Sequence, residues 1–228
     1  MRSFRFAFAI LLLPVLPGIL RAGGYGDGGD AAQQPAAGSS NFYIQLNASA
    51  LFASLIDWKN QIYTSGGSHP STSCTVFGLE SGVVLNRYFV VGAGYEYFFA
   101  PSATGTESSL SVTDQVSGSF FYGSLRAGIR PESIPELYIS LGIDAGTMTA
   151  SESLQLFIGN YDRSGSSIAE RLKLGVQYYA TPDWSLSLEG GYLFGKVKNI
   201  TGTGVLQNYI IDFSGIEFRG GVSYHIPL

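Results

Sequence analysis

The chain has 228 residues, of which 45% are hydrophobic, 14% aromatic and only 13% charged, against about a quarter charged in an ordinary soluble domain. Its net charge of -4 argues against a nucleic-acid footprint, which needs Lys and Arg clustered on one face, and its one cysteine, Cys74, excludes an internal disulfide. Thirty glycines and fourteen tyrosines beside two methionines favour strands and turns over helices, because glycine and tyrosine are weak helix formers and tyrosine suits a pleated surface.

At the N-terminus, Arg2 and Arg5 precede the apolar run from Phe6 to Leu20, and the small residues Ala22, Gly23 and Gly24 follow. Positive, apolar and then cleavable is the order of a secretory signal peptide. Pro14, Pro17 and Gly18 interrupt the run, and its length of about 15 residues falls short of the roughly 20 that span a bilayer. Residues 1–24 are therefore expected to direct export and to be removed. Cutting after Gly24 leaves small residues at both key positions, whereas cutting after Ala22 places Leu20 at one of them. Residues 25–40, rich in Gly, Ala, Gln and Ser, carry too little apolar surface to pack and are expected to form a flexible tail.

From Asn41 onward, eight segments alternate with period two: approximately 42–52, 74–85, 88–99, 117–129, 137–147, 167–180, 184–195 and 209–226. Such alternation predicts strands with one apolar face. The intervening spaces run long (53–73), short (86–87), long (100–116), short (130–136), long (148–166), short (181–183) and long (196–208). In an antiparallel meander this puts every long loop at one end. The short connections contain Asn86, Pro131, Pro135 and the pair Pro182-Asp183, residues with turn-forming backbones.

The segment "FVVGAGYEYFF", Phe89 to Phe99, poses the main question. Phe89, Val91, Ala93, Tyr95, Tyr97 and Phe99 leave one face, whereas Val90, Gly92, Gly94, Glu96 and Phe98, with Tyr88 just before the segment, leave the other. A greasy core with a wetted outside and a greasy outside with a polar inside are both compatible with this stretch alone. The remaining segments favour the second. Their apolar faces end in aromatics, with Phe42, Phe89, Tyr178, Trp184 and Tyr224 toward the short turns and Phe52, Tyr97, Phe99, Tyr192 and Phe194 toward the long loops. Two such girdles are expected where a barrel wall meets the headgroup regions of a bilayer. The opposite faces carry many glycines and charges of both signs: Glu80, Glu96, Asp144, Glu189 and Glu217 with Arg126, Arg171, Lys173 and Arg219. A small membrane barrel fills its narrow lumen in this way, and near-balance is required because a buried charge without a partner is costly. Asp144 and Lys173 are expected at similar heights on adjacent strands, and Glu96 faces Arg126 if the stagger permits. The predicted fold is all-β: an eight-stranded antiparallel up-and-down transmembrane barrel with a polar, ion-paired lumen, formed by residues 41–228.

The export signal, the eight strands, the alternation of long and short loops and the last strand "DFSGIEFRGGVSYHI", Asp212 to Ile226, together resemble the OmpA-like outer-membrane β-barrel domains, the group that includes OmpX and the opacity-type surface proteins. The resemblance covers about residues 41–228 and rests on pattern, with residue-level likeness confined to Ser214-Gly215 and Gly221-Val222-Ser223-Tyr224. It implies a barrel handed to the membrane by the barrel-assembly machinery. Members of the group usually end the last strand on an aromatic; here Tyr224, Ile226 and Leu228 keep the outward phase and the final pair is Pro227-Leu228. The peptidoglycan-binding domain that follows the barrel in OmpA is not expected here.

A catalytic constellation is not expected. His69 lies in the loop "SGGSHPSTSC" without a partner fixed by spacing, and His225 falls two residues from Ser223 near the short-turn end, whereas a triad needs nucleophile, base and orienting acid together. No His, Cys or carboxylate cluster has metal-ligand spacing, and no cofactor motif is present. The leading expectation is a monomeric, non-enzymatic barrel in the outer membrane of a Gram-negative-type bacterium, with a structural or adhesin-like role. Its partners would be phospholipid and lipopolysaccharide, the assembly machinery, and an extracellular or host ligand at the loops, with no nucleic acid. Alternatives are a small pore or hydrophobic-ligand conduit, a lipid A-modifying barrel enzyme, and a soluble periplasmic barrel.

Overall fold

The structure, a computed structural model, describes residues 41–55, 73–85, 88–107, 110–156, 159–198, 200–202 and 209–228. The expected signal segment, tail and Asn86-Arg87 turn, and His69, lie outside the described residues. Eight long strands form the wall: β1 (Asn41–Ala53), β2 (Ser73–Val84), β3 (Phe89–Glu107), β4 (Leu110–Ile129), β5 (Leu137–Leu156), β6 (Gly159–Tyr179), β7 (Trp184–Phe194) and β11 (Gly215–Pro227). Between the last two come the short pieces β8 (Lys196–Val197), β9 (Thr201–Gly202) and β10 (Ile211–Asp212). Each long strand pairs antiparallel with its sequence neighbours in the wall, and β11 pairs with β1, so the sheet closes on itself and has no edge around its girth. Closure leaves no row of unpaired backbone groups facing outward, the one arrangement in which a sheet tolerates a hydrocarbon surround. The described residues contain no helix long and apolar enough to cross a membrane. This is the eight-stranded meander expected from the period-two segments.

Chain order fixes the ends. The 130–136 turn is tied by Ile134 N–H donating to Pro131 O (3.2 Å) and Leu137 N–H to Ile134 O (3.0 Å). The next turn is tied by Trp184 N–H donating to Thr181 Oγ1 (3.0 Å). These compact turns lie at one end with Asn41 and Pro227, and the long ladders of β3 with β4 and of β5 with β6 rise at the other.

Two of the expected long loops are not loops. β3 and β4 continue as a ladder as far as Glu107↔Leu110, and β5 and β6 as far as Leu156↔Gly159. Residues 100–107, 110–116, 148–156 and 159–166 therefore build a four-stranded wall standing beyond the barrel proper. They looked loop-like because the strand's outer face turns from apolar to Ser and Thr, which removes the hydrophobic alternation without removing the ladder. The register slips only between Phe99 and Ser102, where Pro101 has no N–H to donate.

The last expected strand also differs. The ladder of β11 begins at Gly215; residues 209–214 leave the wall and turn into the mouth of the barrel, where Tyr209, Ile211 and Phe213 are buried. Those three residues alternate with partners as a strand would, so period two alone could not separate wall from plug.

Candidate functional site

The wall is inverted relative to a soluble sheet. Leu46, Phe121, Leu141, Leu188 and Phe218 are exposed at 61–72% on the outside, while Glu80, Glu96 and Asp144 are fully buried inside. Of the girdle residues, Phe52, Phe89, Tyr97, Phe99, Tyr178, Trp184, Tyr192, Phe194 and Tyr224 all point outward and are exposed, and Phe42 is half-buried. Tyr88, which the alternation put inside, sits exposed at the bend before β3. Glu170, which the sequence reading left unassigned, lies on the outer face between Ile168 and Leu172, opposite Ala145 and Phe194.

All nine charged residues named from the sequence are buried in one lumen network. Arg171 lies at its centre: Nη1 donates to Glu96 Oε2 (2.7 Å) and Glu217 Oε2 (2.9 Å), Nη2 lies 2.6 Å from Asp144 Oδ2, and the guanidinium is 4.9 Å from the Tyr122 ring. Lys173 Nζ is 2.9 Å from Asp144 Oδ1 and 3.6 Å from Glu80 Oε2. Arg219 pairs with Glu96 and, at 3.3 Å, with Glu217. Arg126 pairs with Glu80 and reaches Glu189 at 3.4 Å.

Phenols and hydroxyls complete the carboxylates. Tyr43 donates to Glu80 (2.6 Å), Tyr122 to Glu96 (2.8 Å) and Ser49 to Glu217 (2.5 Å). With several donors on most acids, the pairs offset the desolvation that would otherwise expel them. Asp144 and Lys173 meet as expected, but Glu96 does not meet Arg126. Glu96 stands opposite Phe120 and Arg126 opposite Val90, so the two occupy different levels, and the stagger gives Glu96 to Arg171 and Arg219 across the lumen.

Sequence reasoning missed the region above this network. Leu51, Val76, Phe98, Phe120, Met148 and Leu193 line an apolar chamber, which Ile211 and Phe213 fill, the Phe213 ring lying 5.6 Å from that of Phe98. The inserted segment is tied on both sides. Leu55 N–H donates to Asp212 O (2.8 Å), Ser54 N–H to Ser214 O (2.9 Å) and Phe213 N–H to Gly195 O (2.8 Å). Leu55 itself has φ 44°, a left-handed backbone that costs a non-glycine residue about 1–3 kcal/mol and that these ties hold in place. Higher still, Arg163 pairs with Glu152 (3.4 Å) and Tyr209 donates to Glu152 (3.0 Å). Burial, together with the Glu152 carboxylate, pushes the Tyr209 phenol above its ordinary value. The apolar phase of Leu51, Val76 and Phe98 on the lumen side was the available signal.

At the short-turn end, His225 is buried with Tyr43 and Tyr179, and its Nε2 lies 2.8 Å from Ser185 Oγ, to which Gln177 also donates at 2.6 Å. Its contact is thus Ser185 rather than the Ser223 noted from the sequence. The described residues hold no group of three or more metal-ligating side chains.

No family model matches the chain, and no curated protein matches it. Among solved structures it is similar to Neisserial surface protein A (18% identity, covering 80% of this chain and 96% of that one, TM-score 0.47). It is also similar to Ail, the attachment invasion locus protein of Yersinia pestis (16%, 83% and 99%, 0.49), and to the outer membrane protein OprG from Pseudomonas aeruginosa (11%, 85% and 99%, 0.49).

Proposed function

We propose that this chain is a non-enzymatic outer-membrane barrel of the OmpA-like kind. An apolar band holds it in lipid, its lumen is sealed, and the face beyond the band makes whatever contacts the protein has, in a structural or adhesin-like role. One observation carries the reading: paired charges are packed inside while Leu, Ile, Phe and Tyr cover the outside, an arrangement stable only when the surround is hydrocarbon. Export by residues 1–24, delivery by the barrel-assembly machinery, contact with phospholipid and lipopolysaccharide, a loop ligand and a monomeric state belong to the same proposal.

The sealed lumen is supported by the plug above and the ion pairs below. Opening a path would expose Phe213 and Ile211 and break several charge-assisted bonds. The Ser185–His225 contact is buried on both sides, which gives a substrate no approach to it. Two measurements test the proposal together: folded and boiled protein should migrate differently on a gel, and the folded barrel in a planar bilayer should show no stable conductance. Steady ion-passing channels would favour the pore reading instead.

A further inference from the structure

The wall that rises past the apolar band has an unusual outer face. Over the rows Gly123, Ala145, Glu170 and Phe121, Thr147, Ile168 the outside stops being apolar. Above them, three strands place side by side the rows Ser119, Thr149, Ser166 and Ser117, Ser151, Ser164, all exposed or half-buried. The next row is Gln115, Ser153 and Asp162, whose carboxylate accepts from Ser153 at 2.9 Å. Among the described outward positions of these three rows, Asp162 is the one charge. A water-facing sheet ordinarily gains solubility from Lys and Glu, and this one presents hydroxyls.

Two further features define what such a face can hold. On β3, Tyr97 and Phe99 stand directly beside Ser119 and Ser117, with ring centroids 4.6 Å apart and both side chains exposed. A hydroxyl lattice therefore ends against an aromatic platform. The inner face of the same wall is packed on Phe213 and Tyr209 through Val116, Met148 and Ala150, so the lattice is held rigid. The positions recur about 5 Å apart across the strands and about 7 Å along them; Ser119 and Thr149 share a hydrogen bond of 2.7 Å, and every hydroxyl of the rows can donate or accept. That is the complement of a neutral polyol with apolar C–H faces. It is a poor complement to phosphate or sulfate, for which the three rows supply no Lys or Arg.

From this we infer that the outer face of the β4–β6 wall, with Tyr97 and Phe99, is a docking surface for the neutral sugar residues of the glycolipid surrounding the barrel. The inference rests on the outer-membrane reading above. Position selects the membrane's own glycolipid over a free oligosaccharide: the rows continue the same strands, with no break in register, for about 20 Å beyond the apolar band, past the phosphorylated sugars that carry the acyl chains and into the height of the neutral sugars beyond them.

The test uses the folded full-length mature chain in vesicles containing equal amounts of a lipopolysaccharide bearing core sugars and one truncated to lipid A. The barrel is excised with its annular lipid in polymer nanodiscs, and the lipid ratio is read by mass spectrometry. The native chain should enrich the core-bearing form by at least about threefold, a factor within reach of one net hydrogen bond. The variant carrying Ser117→Ala, Thr149→Ala, Ser151→Ala and Ser164→Ala, all surface changes, should fold and lose the enrichment. Equal recovery of the two lipids by the native chain, or equal enrichment by native and variant, overturns the inference while leaving the membrane reading standing. Failure of the native chain to insert at all overturns the membrane reading, and this inference with it.

Discussion

Arg171→Leu is the most informative substitution. Arg171 is the most central cation of the lumen, in contact with Glu96, Asp144 and Glu217 at 2.6–2.9 Å. Its removal leaves Arg126, Lys173 and Arg219 against the five carboxylates Glu80, Glu96, Asp144, Glu189 and Glu217. Deleting one partner of a buried ion pair costs about 3–5 kcal/mol, because the remaining charge stays desolvated, and this corresponds to roughly two to four powers of ten in the folding equilibrium. Arg219 and Lys173 still reach the orphaned acids, so the lower part of that range is expected. The assay is reversible urea unfolding of the barrel in phospholipid vesicles, followed by the gel shift between folded and unfolded forms. Adding Glu217→Leu to Arg171→Leu should recover at least about 1 kcal/mol, since it removes one of the unpaired buried charges. A loss below about 1 kcal/mol for Arg171→Leu would mean that the lumen is wet enough to screen the pair, and would refute the sealed-network reasoning.

Leu141→Arg, on the outer face near mid-band, should cost about 2–4 kcal/mol of folded stability in the same assay, whereas Ser151→Arg on the hydroxyl wall should change it by less than about 0.5 kcal/mol. Phe213→Ala should cost about 3–5 kcal/mol through the cavity left in the apolar chamber, read as a lower urea midpoint. Gly146→Ala should cost about 1–3 kcal/mol, read as a lower urea midpoint, because a Cβ there would lie 2.0 Å from Phe121 O. Gly190→Ala, whose Cβ meets nothing nearer than 3.8 Å, should leave the midpoint unchanged.

Much of this architecture is written in period two, which made Glu96 legible. Its phase with Gly92 and Gly94, opposite Tyr95 and Tyr97, placed it inside without knowledge of any partner. The partners were not legible, because Glu96 meets Arg171 and Arg219 from strands far away in sequence, and only the stagger of the closed sheet decides which rows share a level. Asp144 and Lys173 were easier, since they come from paired neighbouring strands at adjacent rows.

The upper wall was misread because Gln115, Thr149 and Ser164 lack the apolar outside by which strands announce themselves, although their ladders continue unbroken. The plug was misread for the opposite reason. Tyr209, Ile211 and Phe213 carry a strand's alternation but spend it on filling the lumen mouth, and the break at Gly195 and Gly215 is set by contacts with β1 and β7 that leave no local mark. Glu152 and Arg163, buried together under Tyr209, were hidden within segments that composition assigned to loops.

The central claim is that the chain is inside out. It is tested most directly by dissolving a photoactivatable diazirine in the lipid of vesicles that hold the native barrel and mapping the labelled side chains by mass spectrometry. Leu46, Phe121, Leu141, Leu188 and Phe218 should be labelled, and their neighbours Gln45, Tyr122, Gly142, Ser187 and Glu217 should not. Labelling without alternation, or alternation in the opposite phase, would contradict the account.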